Sequence, residues 1–597
     1  MPQAGEQELD YLALMARSRR LSENGALPRA RLAVLSDAAT QQLAPLLKVL
    51  FRDCGLACDV YEGVFDGMEI EAHDAYSGLY KFEPDTIVLL HSVQAFVDRY
   101  YSRSGSGSEF LNAEAARIET IIDSLRARSS ALLLLSNLAL PYERFFGNYD
   151  LRVPDSLYSI VLEMNRRIVR CAAQRSGVLI NDVEAVASWR GRRYWFDNRF
   201  WSLSKAFCAL DQLPYVARNI IDIVLSAKGR SVKCIALDLD NTLWGGIVGD
   251  DGVEGIRISA HGDGEAYYRF QQYLLELKKR GILLAICSKN EFANAVAPFR
   301  RHPEMVIRED DITVFIANWN DKIENLKLIQ RTLNIGFQSI VFIDDNPFER
   351  NLVRDLLPEV IVPEMPEDPA DYVQAISELN LFETVSFSSE DTRRSELYAS
   401  EGLRQAARGR FENVEEYLAS LHMKLKIALF DEAHLPRITQ LLQRSNQFNL
   451  TTNRYNEAQC RQMMRDNDCT PLYAELKDGF GDHGLISIVI VRFTSETAEI
   501  TDWLMSCRVL GRGVEQELMN YVFDLARQRG ALEVAGRYIP TPKNGMVRDF
   551  YSRFGFHIRY EPPSGETQFA LAIEDYKPKS GYFTTQATVP EEARQTS

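Results

Sequence analysis

Carboxylates and hydroxyls stand at the ends of apolar runs in the middle of the sequence. Asp238 and Asp240 end the run VKCIALDLD, Ser288 ends a second run, and Asp344 and Asp345 end a third. Two carboxylates at the mouth of a buried strand are costly unless a metal ion or hydrogen bonds compensate. Carboxylate oxygens suit the hard cation Mg²⁺. Because strand ends in an open α/β sheet face one crevice, we expect these side chains to share a site.

The elements that must position these residues follow from the composition pattern, which predicts a multidomain α/β protein. Near-continuous apolar strands alternate with helix-like segments in the first two blocks, as in parallel sheets covered on both faces. A charged helical connector and a mixed α/β block follow. The predicted boundaries are 1–228, 229–380, 381–425 (the connector), 426–580 and a disordered tail at 581–597.

The hexapeptide DLDNTL (238–243) resembles the DxDxT motif of haloacid dehalogenase (HAD) superfamily phosphatases. The resemblance implies that Asp238 is the nucleophile that takes the phosphoryl group and that Asp240 is the general acid/base. A carboxylate can attack a phosphate only if the phosphate charge is neutralised. Phosphate binding is therefore expected of Thr242, Ser288 and Lys322, and Mg²⁺ binding of Asp238, Asp344, Asp345 and Asp240, the last through its carbonyl oxygen.

The stretch WGGIVGDDGVEGIRI (244–258) is short and rich in glycine, which predicts a small flap. No large cap domain fits between Asp240 and Ser288. Such a site is open, so it can accept a phosphorylated group carried by a macromolecule. Any small phosphate could enter it as well.

The segment RVLGRG (508–513) fits the R/Q-x-x-G-x-G/A loop of GCN5-related N-acetyltransferases (GNATs), between a predicted strand and a predicted helix. Glycines let backbone amides approach a pyrophosphate at a helix N-terminus. The resemblance predicts that this block is GNAT-like and holds coenzyme A or the phosphopantetheine of a carrier; an ordinary structural turn is the alternative. The residues predicted to do so are Arg508, Gly511, Arg512, Gly513, Asn544 and Tyr551.

Cys507 directly precedes that loop. A thiol beside arginines and a helix N-terminus can have a lowered pKa, so Cys507 is a candidate acyl carrier; a small buried residue on a strand end is the other interpretation. Cys287, next to Ser288, is a second candidate thiol. His483 could act as a base oriented by Asp502, or could be a loop histidine with satisfied hydrogen bonds.

Seven motifs together resemble the FkbH-like family over nearly the whole chain, namely DLDNTLWGGIVGDDG, SKN, NWNDK, VFIDDNPFER, SNQFNLTTNRY, DGFGDHGL and SCRVLGRGVE. The resemblance implies an Mg²⁺-dependent enzyme that takes 1,3-bisphosphoglycerate, removes phosphate and loads a glyceryl group onto the phosphopantetheine thiol of an acyl carrier protein. The products would feed polyketide biosynthesis. Two rival functions stay open: a small-molecule phosphatase, and a GNAT acyltransferase that uses acyl-CoA with a vestigial HAD domain.

The first block resembles a degenerate SGNH-type hydrolase. Its best match to the G-D-S-L turn is Ser36-Asp37-Ala38-Ala39, which puts alanine at the position of the nucleophilic serine. We therefore expect a scaffold or a carrier-docking role for residues 1–228. An acidic carrier would need a local basic patch, and WRGRRYW (189–195) is a candidate for it.

Composition narrows the class of protein. The 597 residues contain 68 basic and 83 acidic side chains, a net charge of −15, which argues against a general nucleic-acid binder. The longest apolar run, near 131–140, is too short to span a bilayer, and the first residues lack the order of a signal peptide. Nine scattered cysteines without a CxxC pair fit a reducing cytoplasm, where we expect the protein.

Overall fold

The computed structural model describes the residues in nine ranges, which are 9–21, 27–387, 414–443, 448–479, 481–506, 509–541, 544–562, 565–579 and 581–588. The chain divides into two compact units, Met1–Ser226 and Ala227–Ser597. No helix in the described ranges has the length and apolar character needed to cross a membrane.

The first unit is built on a five-stranded parallel sheet in the order β2-β1-β3-β4-β5. The strands are β1 Arg29–Ser36, β2 Ala57–Glu62, β3 Thr86–Leu90, β4 Leu132–Ser136 and β5 Val178–Asn181. The helices are α1 Tyr11–Ser18, α2 Leu43–Asp53, α3 Met68–His73, α4 Gly78–Phe82, α5 Val93–Tyr101, α6 Gly107–Arg128, α7 Leu157–Ala173, α8 Val183–Arg190, α9 Arg192–Trp195, α10 Asn198–Ser204 and α11 Leu213–Ala227.

Four of these five strands, β1, β3, β4 and β5, coincide with the apolar runs of the sequence at 32–37, 86–92, 131–137 and 177–182. The central strand β3 is buried along its whole length, as expected when helices cover both faces of a sheet. The edge strand β2 is only partly buried, and polar residues interrupt its sequence ACDVYE, so it lacks a continuous apolar run.

The second unit begins with a four-stranded parallel sheet in the order β8-β7-β6-β9. Its strands are β6 Cys234–Leu237, β7 Leu283–Ser288, β8 Val314–Ala317 and β9 Ile340–Ile343. Its helices are α12 Val248–Gly255, α13 Glu265–Lys279, α14 Phe292–Arg301, α15 Lys322–Leu333, α16 Pro347–Leu356 and α17 Tyr372–Glu378. Because β6 lies between β7 and β9, the residues that follow these three strands are neighbours.

The C-terminal part of the second unit is a mixed sheet in the order β16-β17-β15-β14-β13-β12-β10-β18, with β11 paired to β14. Its strands are β10 Met423–Leu429, β11 Phe448–Asn449, β12 Cys469–Asp478, β13 Gly481–Phe493, β14 Thr497–Met505, β15 Glu533–Tyr538, β16 His557–Tyr560, β17 Thr567–Ala572 and β18 Phe583–Thr588. Its helices are α18 Val414–Ser420, α19 Leu435–Gln443, α20 Glu457–Arg465 and α21 Val514–Gln528. The antiparallel pair of β12 and β13 forms a hairpin.

Two predictions about this part were wrong. Residues 583–588, expected in a disordered tail, form β18 and pair in parallel with β10. The strand β10 also begins at Met423, before the predicted domain boundary at 426. The short polar strand β18 lacks an apolar run and is positioned by its pairing with β10, which local sequence does not reveal. Of the predicted connector, residues 388–413 lie outside the described ranges.

Close packing in the C-terminal core makes a testable prediction at Gly536. A Cβ atom there would lie 2.2 Å from the ring of the buried Tyr551. Overpacking of this kind costs about 1–3 kcal/mol, so Gly536→Ala should lower the melting temperature of the protein. The matched control is Gly545→Ala, because a Cβ at Gly545 meets nothing within 4 Å. Equal melting temperatures for both variants would contradict the described packing.

Candidate active site

Three carboxylates converge at the carboxyl edge of the four-stranded sheet. Ligand oxygens of Asp238, Asp344 and Asp345 all lie within 4.8 Å of one another. Asp238 directly follows β6, and its amide donates a hydrogen bond of 2.9 Å to the carbonyl of Ile343 at the end of β9. Within the described ranges, this is the only group of three potential metal-binding side chains with such geometry.

The convergence of these carboxylates fits a divalent cation. Burial, and then the charge of Asp238, raise the pKa values of Asp344 and Asp345 above the ordinary range. Like charges held this close destabilise one another unless a cation neutralises them. Mg²⁺ takes oxygen ligands, and these three side chains supply them.

Lys322 adds a permanent cation to the same pocket. Its Nζ lies 2.5 Å from Asp238 Oδ1 and 3.1 Å from Asp344 Oδ2, and it donates a hydrogen bond of 2.8 Å to the carbonyl of Cys287. Burial disfavours the charged ammonium, but the two carboxylates outweigh this effect and raise the pKa of Lys322. Lys322 therefore brings its charge next to Asp238, and its predicted contact with phosphate stays a prediction.

The carboxylate of Asp240 is held apart from the three converging carboxylates. Its Oδ1 accepts hydrogen bonds from the indole of Trp244 (3.0 Å) and the amide of Val248 (2.9 Å), and its Oδ2 accepts one from the side chain of Asn290 (3.0 Å). The side chain of Asp240 is therefore not in the metal-binding group. Burial raises the pKa of Asp240 although these donors oppose the shift, which suits a group that carries a proton during part of a reaction.

Trp244 and Asn290 are site residues that sequence reasoning missed. Both lie in motifs that it singled out: Trp244 opens the flap, and Asn290 ends the run SKN. Their hydrogen bonds with Asp240 connect the flap and the loop after β7 to one carboxylate. The signal was present in the sequence, but only the fold shows that the two side chains meet.

Thr242 and Ser288 lie at the site in different ways. The Thr242 hydroxyl donates to Asp345 Oδ1 (3.3 Å) and accepts from the Asp345 amide (3.1 Å), so it holds a metal-binding residue. Ser288 is the buried last residue of β7. The phosphate contacts predicted for both side chains stay predictions.

Arg350 is a second residue that sequence reasoning missed. Its guanidinium donates hydrogen bonds of 2.9 and 2.7 Å to the carbonyls of Asp344 and Asp345, and it pairs with Glu364 at 3.0 Å. It belongs to α16, in the motif DDNPFER, and fixes the backbone of the carboxylate pair. Because the buried guanidinium of Arg350 donates to backbone carbonyls, this side chain positions the loop rather than binding substrate.

The segments that carry the site residues also carry exposed apolar side chains. The flap is small, as predicted: it consists of a bridge between Gly245 and Arg257 and the short helix α12. Large apolar side chains in the segments that follow β6, β7, β8 and β9 are exposed, namely Ile247, Phe292, Trp319 and Phe348. Exposed apolar side chains on neighbouring segments are candidates for contact with a macromolecule.

The glycine turn of the C-terminal domain opens a helix, as its motif predicts. Gly511 and Gly513 have φ of 75° and 86°, and Gly513 caps α21. Cys507 and Arg508 lie outside the described residues, so their predicted roles are not tested. The guanidinium of Arg512 is buried and pairs with Asp478 at 3.0 Å, which makes it part of the interior.

His483 and Asp502 do not form the predicted pair. His483 Nε2 lies 2.9 Å from Asp478 Oδ2. Asp502 instead accepts hydrogen bonds from three other side chains, those of Thr451, Asn453 and Tyr455, at 2.7 to 2.9 Å. The three donors belong to the motif NLTTNRY, whose polar residues are thereby explained as partners of a buried carboxylate.

Asn544 and Tyr551, predicted to contact phosphopantetheine, lie in the protein interior. The Asn544 side chain accepts from the Thr541 amide at 2.7 Å and donates to the carbonyls of Asn449 and Ile539 at 2.9 Å each. The Tyr551 ring packs in an aromatic cluster. The motif letters match those of GNATs, but the structure gives both residues a structural role.

The short strand β11 pairs with β14 beyond the point where the pairing of β14 with β15 ends. The parallel strands β14 and β15 pair only as far as Ile500 and Gly536. Beyond that point β11 pairs with β14, the Leu450 amide donates to the Trp503 carbonyl (3.1 Å), and the Leu450 carbonyl accepts from Ile539 (2.8 Å). An extended ligand therefore finds these edges already paired.

In the first unit, the two polar residues of the turn that best matches G-D-S-L are engaged in structural hydrogen bonds. Ser36 donates to the carbonyl of Leu90 at 2.8 Å. Asp37 accepts from the Ser92 amide at 2.7 Å and pairs with Arg99 at 3.3 Å. These polar groups hold the ends of β1 and β3 together.

Converging carboxylates, a buried lysine and a second aspartate two residues after the first define a HAD-type phosphatase domain. Comparisons with known proteins place the chain in a family. The family model described as FkbH, N-terminal domain, matches residues 31–225. The N-terminal part of the protein BF1531 from Bacteroides fragilis, containing a phosphatase domain complexed with Mg, is 37% identical with a TM-score of 0.60. The alignment covers 63% of this chain and 100% of that one. The chain belongs to the FkbH-like family.

The C-terminal domain is similar to acetyltransferases at low identity. Ribosomal-protein-S18-alanine N-acetyltransferase from Escherichia coli is 14% identical over 25% of this chain and 94% of that one, with a TM-score of 0.20. Spermidine N-acetyltransferase from Vibrio cholerae, in complex with CoA and spermine, is 14% identical over 26% and 98%, with a TM-score of 0.21. No curated protein matches the chain.

The arrangement of the two aspartates predicts the effect of removing each. Asp238→Asn should abolish phosphate release from a phosphorylated substrate, because an amide cannot replace the carboxylate nucleophile. Asp240→Asn should lower kcat by about 10²–10⁴-fold, the usual contribution of general acid–base catalysis. Phosphate release is measured by a colorimetric assay. Activity of Asp238→Asn at the wild-type rate would show that another residue attacks.

The hydrogen bond from Trp244 to Asp240 makes a separate prediction. Trp244→Phe keeps a buried ring but removes the donor. A hydrogen bond to a charged group is worth about 1.5–3 kcal/mol, so kcat should fall by about 10- to 100-fold. The matched control is Trp189→Phe, at a half-exposed tryptophan of the first unit, which should leave the rate unchanged. An unchanged rate for Trp244→Phe would argue that the indole only fills space.

Proposed function

We propose that this protein is an Mg²⁺-dependent enzyme that takes 1,3-bisphosphoglycerate, removes phosphate, and loads a glyceryl group onto the phosphopantetheine thiol of an acyl carrier protein. The observation that carries the proposal is the group of Asp238, Asp344 and Asp345 around one cation-sized space, with Lys322 beside it. The glyceryl substrate, the carrier and a role in polyketide biosynthesis rest on the FkbH-like family.

The phosphatase half-reaction uses the two aspartates in turn. An oxygen of Asp238 attacks phosphorus, the ester bond from phosphorus to the glyceryl oxygen breaks, and Asp240 gives its proton to that oxygen. In the second step Asp240 takes a proton from water, whose oxygen attacks the phosphorus of the aspartyl phosphate. The bond from phosphorus to Asp238 breaks and inorganic phosphate leaves.

The positive charge in the pocket comes from two sources. When bound, Mg²⁺ supplies charge that neutralises phosphate oxygens, and Asp238, Asp344 and Asp345 would hold it. Lys322 faces the same space from the first turn of α15. The relative from Bacteroides fragilis, complexed with Mg, supports the choice of this cation.

The acyl-transfer half-reaction needs a thiolate and no ATP, because an acyl phosphate is already an activated donor. Sulfur attacks the carbonyl carbon, the bond from that carbon to the phosphate oxygen breaks, and phosphate leaves with the electron pair. The thiol proton passes to solvent. The attacking thiol is that of the carrier itself or of Cys507, with Cys287 as a further candidate. Cys287 lies beside the phosphatase pocket, where burial raises the pKa of its thiol to about 12.

The small flap supports a substrate borne by a protein, because the segment between β6 and α13 forms only the short helix α12 and one bridge. Exposed apolar side chains in the segments after the strands, such as the 73% exposed Trp319, offer contact area beyond the phosphate itself. A phosphatase that acted on a free metabolite would gain from a cap that excludes water.

One experiment tests the proposal directly. The enzyme is incubated with Mg²⁺, a source of 1,3-bisphosphoglycerate and a panel of phosphopantetheinylated carrier proteins, and both proteins are weighed by intact-mass spectrometry. We expect a carrier mass gain equal to one glyceryl group. Chelation of Mg²⁺, or Asp238→Asn, should leave a carrier that bears phosphoglyceryl or nothing.

The same experiment separates the rival functions. Phosphate release with no mass gain on any carrier would leave a small-molecule phosphatase. Turnover of acyl-CoA that persists after chelation would favour the acyltransferase with a vestigial HAD domain. Cys507→Ala and Cys287→Ala, compared with each other, identify any glyceryl adduct on the enzyme, since only the variant that lacks the acylated thiol loses the adduct.

A further inference from the structure

The first unit carries a row of exposed side chains, five aromatic and one leucine, at one edge of its sheet. We name this row the aromatic surface; its members are Tyr142, Phe145, Phe146, Tyr149, Phe200 and Leu203, each at least 40% exposed. They come from two segments, the loop that follows β4 and the helices after β5. Isolated exposed apolar residues are common, but a contiguous set marks an interaction site.

Contacts of Tyr142 join the two segments. The rings of Tyr142 and Phe196 lie 5.1 Å apart, and the Tyr142 hydroxyl lies 3.4 Å from the Asn198 side chain at the start of α10. Lys205, just after α10, has its carbonyl bonded to the Ala39 amide beyond the end of β1. Both segments therefore lie at the carboxyl edge of the sheet.

The helix α10 contains large apolar side chains that the protein does not bury. Its sequence NRFWSLS contains three large apolar residues, yet none of its residues is buried. Leu203 is 73% exposed. A helix this short gains most of its stability from burying an apolar face, so the apolar face of α10 lacks the contact that such a face requires.

Two buried polar side chains beneath this edge are already engaged with other protein groups. Ser36 and Asp37 are committed to hydrogen bonds with Leu90, Ser92 and Arg99. Protein interfaces are enriched in aromatic residues and arginine. Composition therefore favours a protein as the occupant of the aromatic surface.

Charge identifies the chemistry of that protein. Residues 189–205 contain five basic side chains and one acidic side chain, in a chain whose net charge is −15. Arg193 and Arg199 are exposed, and neither has an ion pair within the described ranges. A basic segment maintained against an acidic background favours an acidic partner.

We propose that the aromatic surface, with Arg193 and Arg199, is the docking surface for an acidic acyl carrier protein. This inference rests on the proposed function for the identity of the partner. Carrier carboxylates would pair with the two arginines, and apolar side chains of the carrier would cover Phe200 and Leu203. The first unit, which lacks a hydrolase nucleophile, would then serve as the recognition domain of the enzyme.

The test measures binding apart from catalysis. Carriers of the panel are used in the apo form, which cannot be acylated, and their affinity for the full chain is measured by biolayer interferometry. The variants are Arg193→Glu/Arg199→Glu and Phe145→Ala/Phe146→Ala. Each should weaken binding by at least about tenfold, the effect expected for interface hot spots.

One control variant tests for the effect of net charge, and an activity assay of all variants tests whether they fold. Arg128→Glu/Arg170→Glu makes the same change in net charge at two exposed arginines near the ends of α6 and α7, which precede the opposite edge of the sheet. This control should change the affinity less than twofold. All variants should release phosphate from a small ester at the wild-type rate. Wild-type binding should weaken as salt rises from about 0.1 M to about 1 M, where the screening length falls from about 10 Å to about 3 Å.

The outcomes distinguish this inference from the proposed function. Carriers that are acylated while the surface variants bind like wild type would overturn the docking surface and leave the function intact. Carriers that bind at this surface but are never glycerylated would support the docking surface and contradict the function. Equal losses in the surface variants and the control, dimerisation of the chain through Phe145 and Phe146, or binding of nucleic acid in place of carriers would each overturn the inference.

Discussion

Mutual repulsion among three carboxylates is the constraint on which the phosphatase domain depends. Asp238, Asp344 and Asp345 are held within 4.8 Å, an arrangement that is stable only when positive charge stands among them. Lys322 supplies part of that charge from a buried position. The strand order puts β6 between β7 and β9, and Arg350 fixes the backbone of the carboxylate pair. Each of these features keeps together groups that would otherwise separate.

The sequence predicts the phosphatase site well because its residues stand at the ends of apolar strands, and parallel strands end at one edge. It does not predict Trp244 and Asn290 as partners of Asp240, since their meeting depends on how the flap and the loop after β7 fold over the site. Arg350 is missed for a similar reason. Its guanidinium donates to backbone carbonyls, and a sequence motif does not show which side chains contact the backbone.

In the C-terminal domain, the motifs predict local conformation but not which residues are accessible to a ligand. The glycine turn is a turn into a helix, as its spacing requires, because Gly511 and Gly513 adopt positive φ. Asn544 and Tyr551 occupy matching positions in the motif but are interior residues. The two-residue strand β11 pairs with β14 across a long stretch of sequence, and a strand so short leaves no periodicity to detect. Local pattern predicts local conformation here, whereas long-range pairing decides which edges stay accessible.

The strand β18 changes the character of one margin of the C-terminal sheet. Without it, the margin would be β10, whose sequence MKLKIAL is largely apolar. With it, the outermost strand reads FTTQAT. Open strand margins invite self-association, and polar side chains discourage it. A chain shortened before residue 583 would expose the unpaired backbone groups of β10 along this margin, which β18 covers in the full chain.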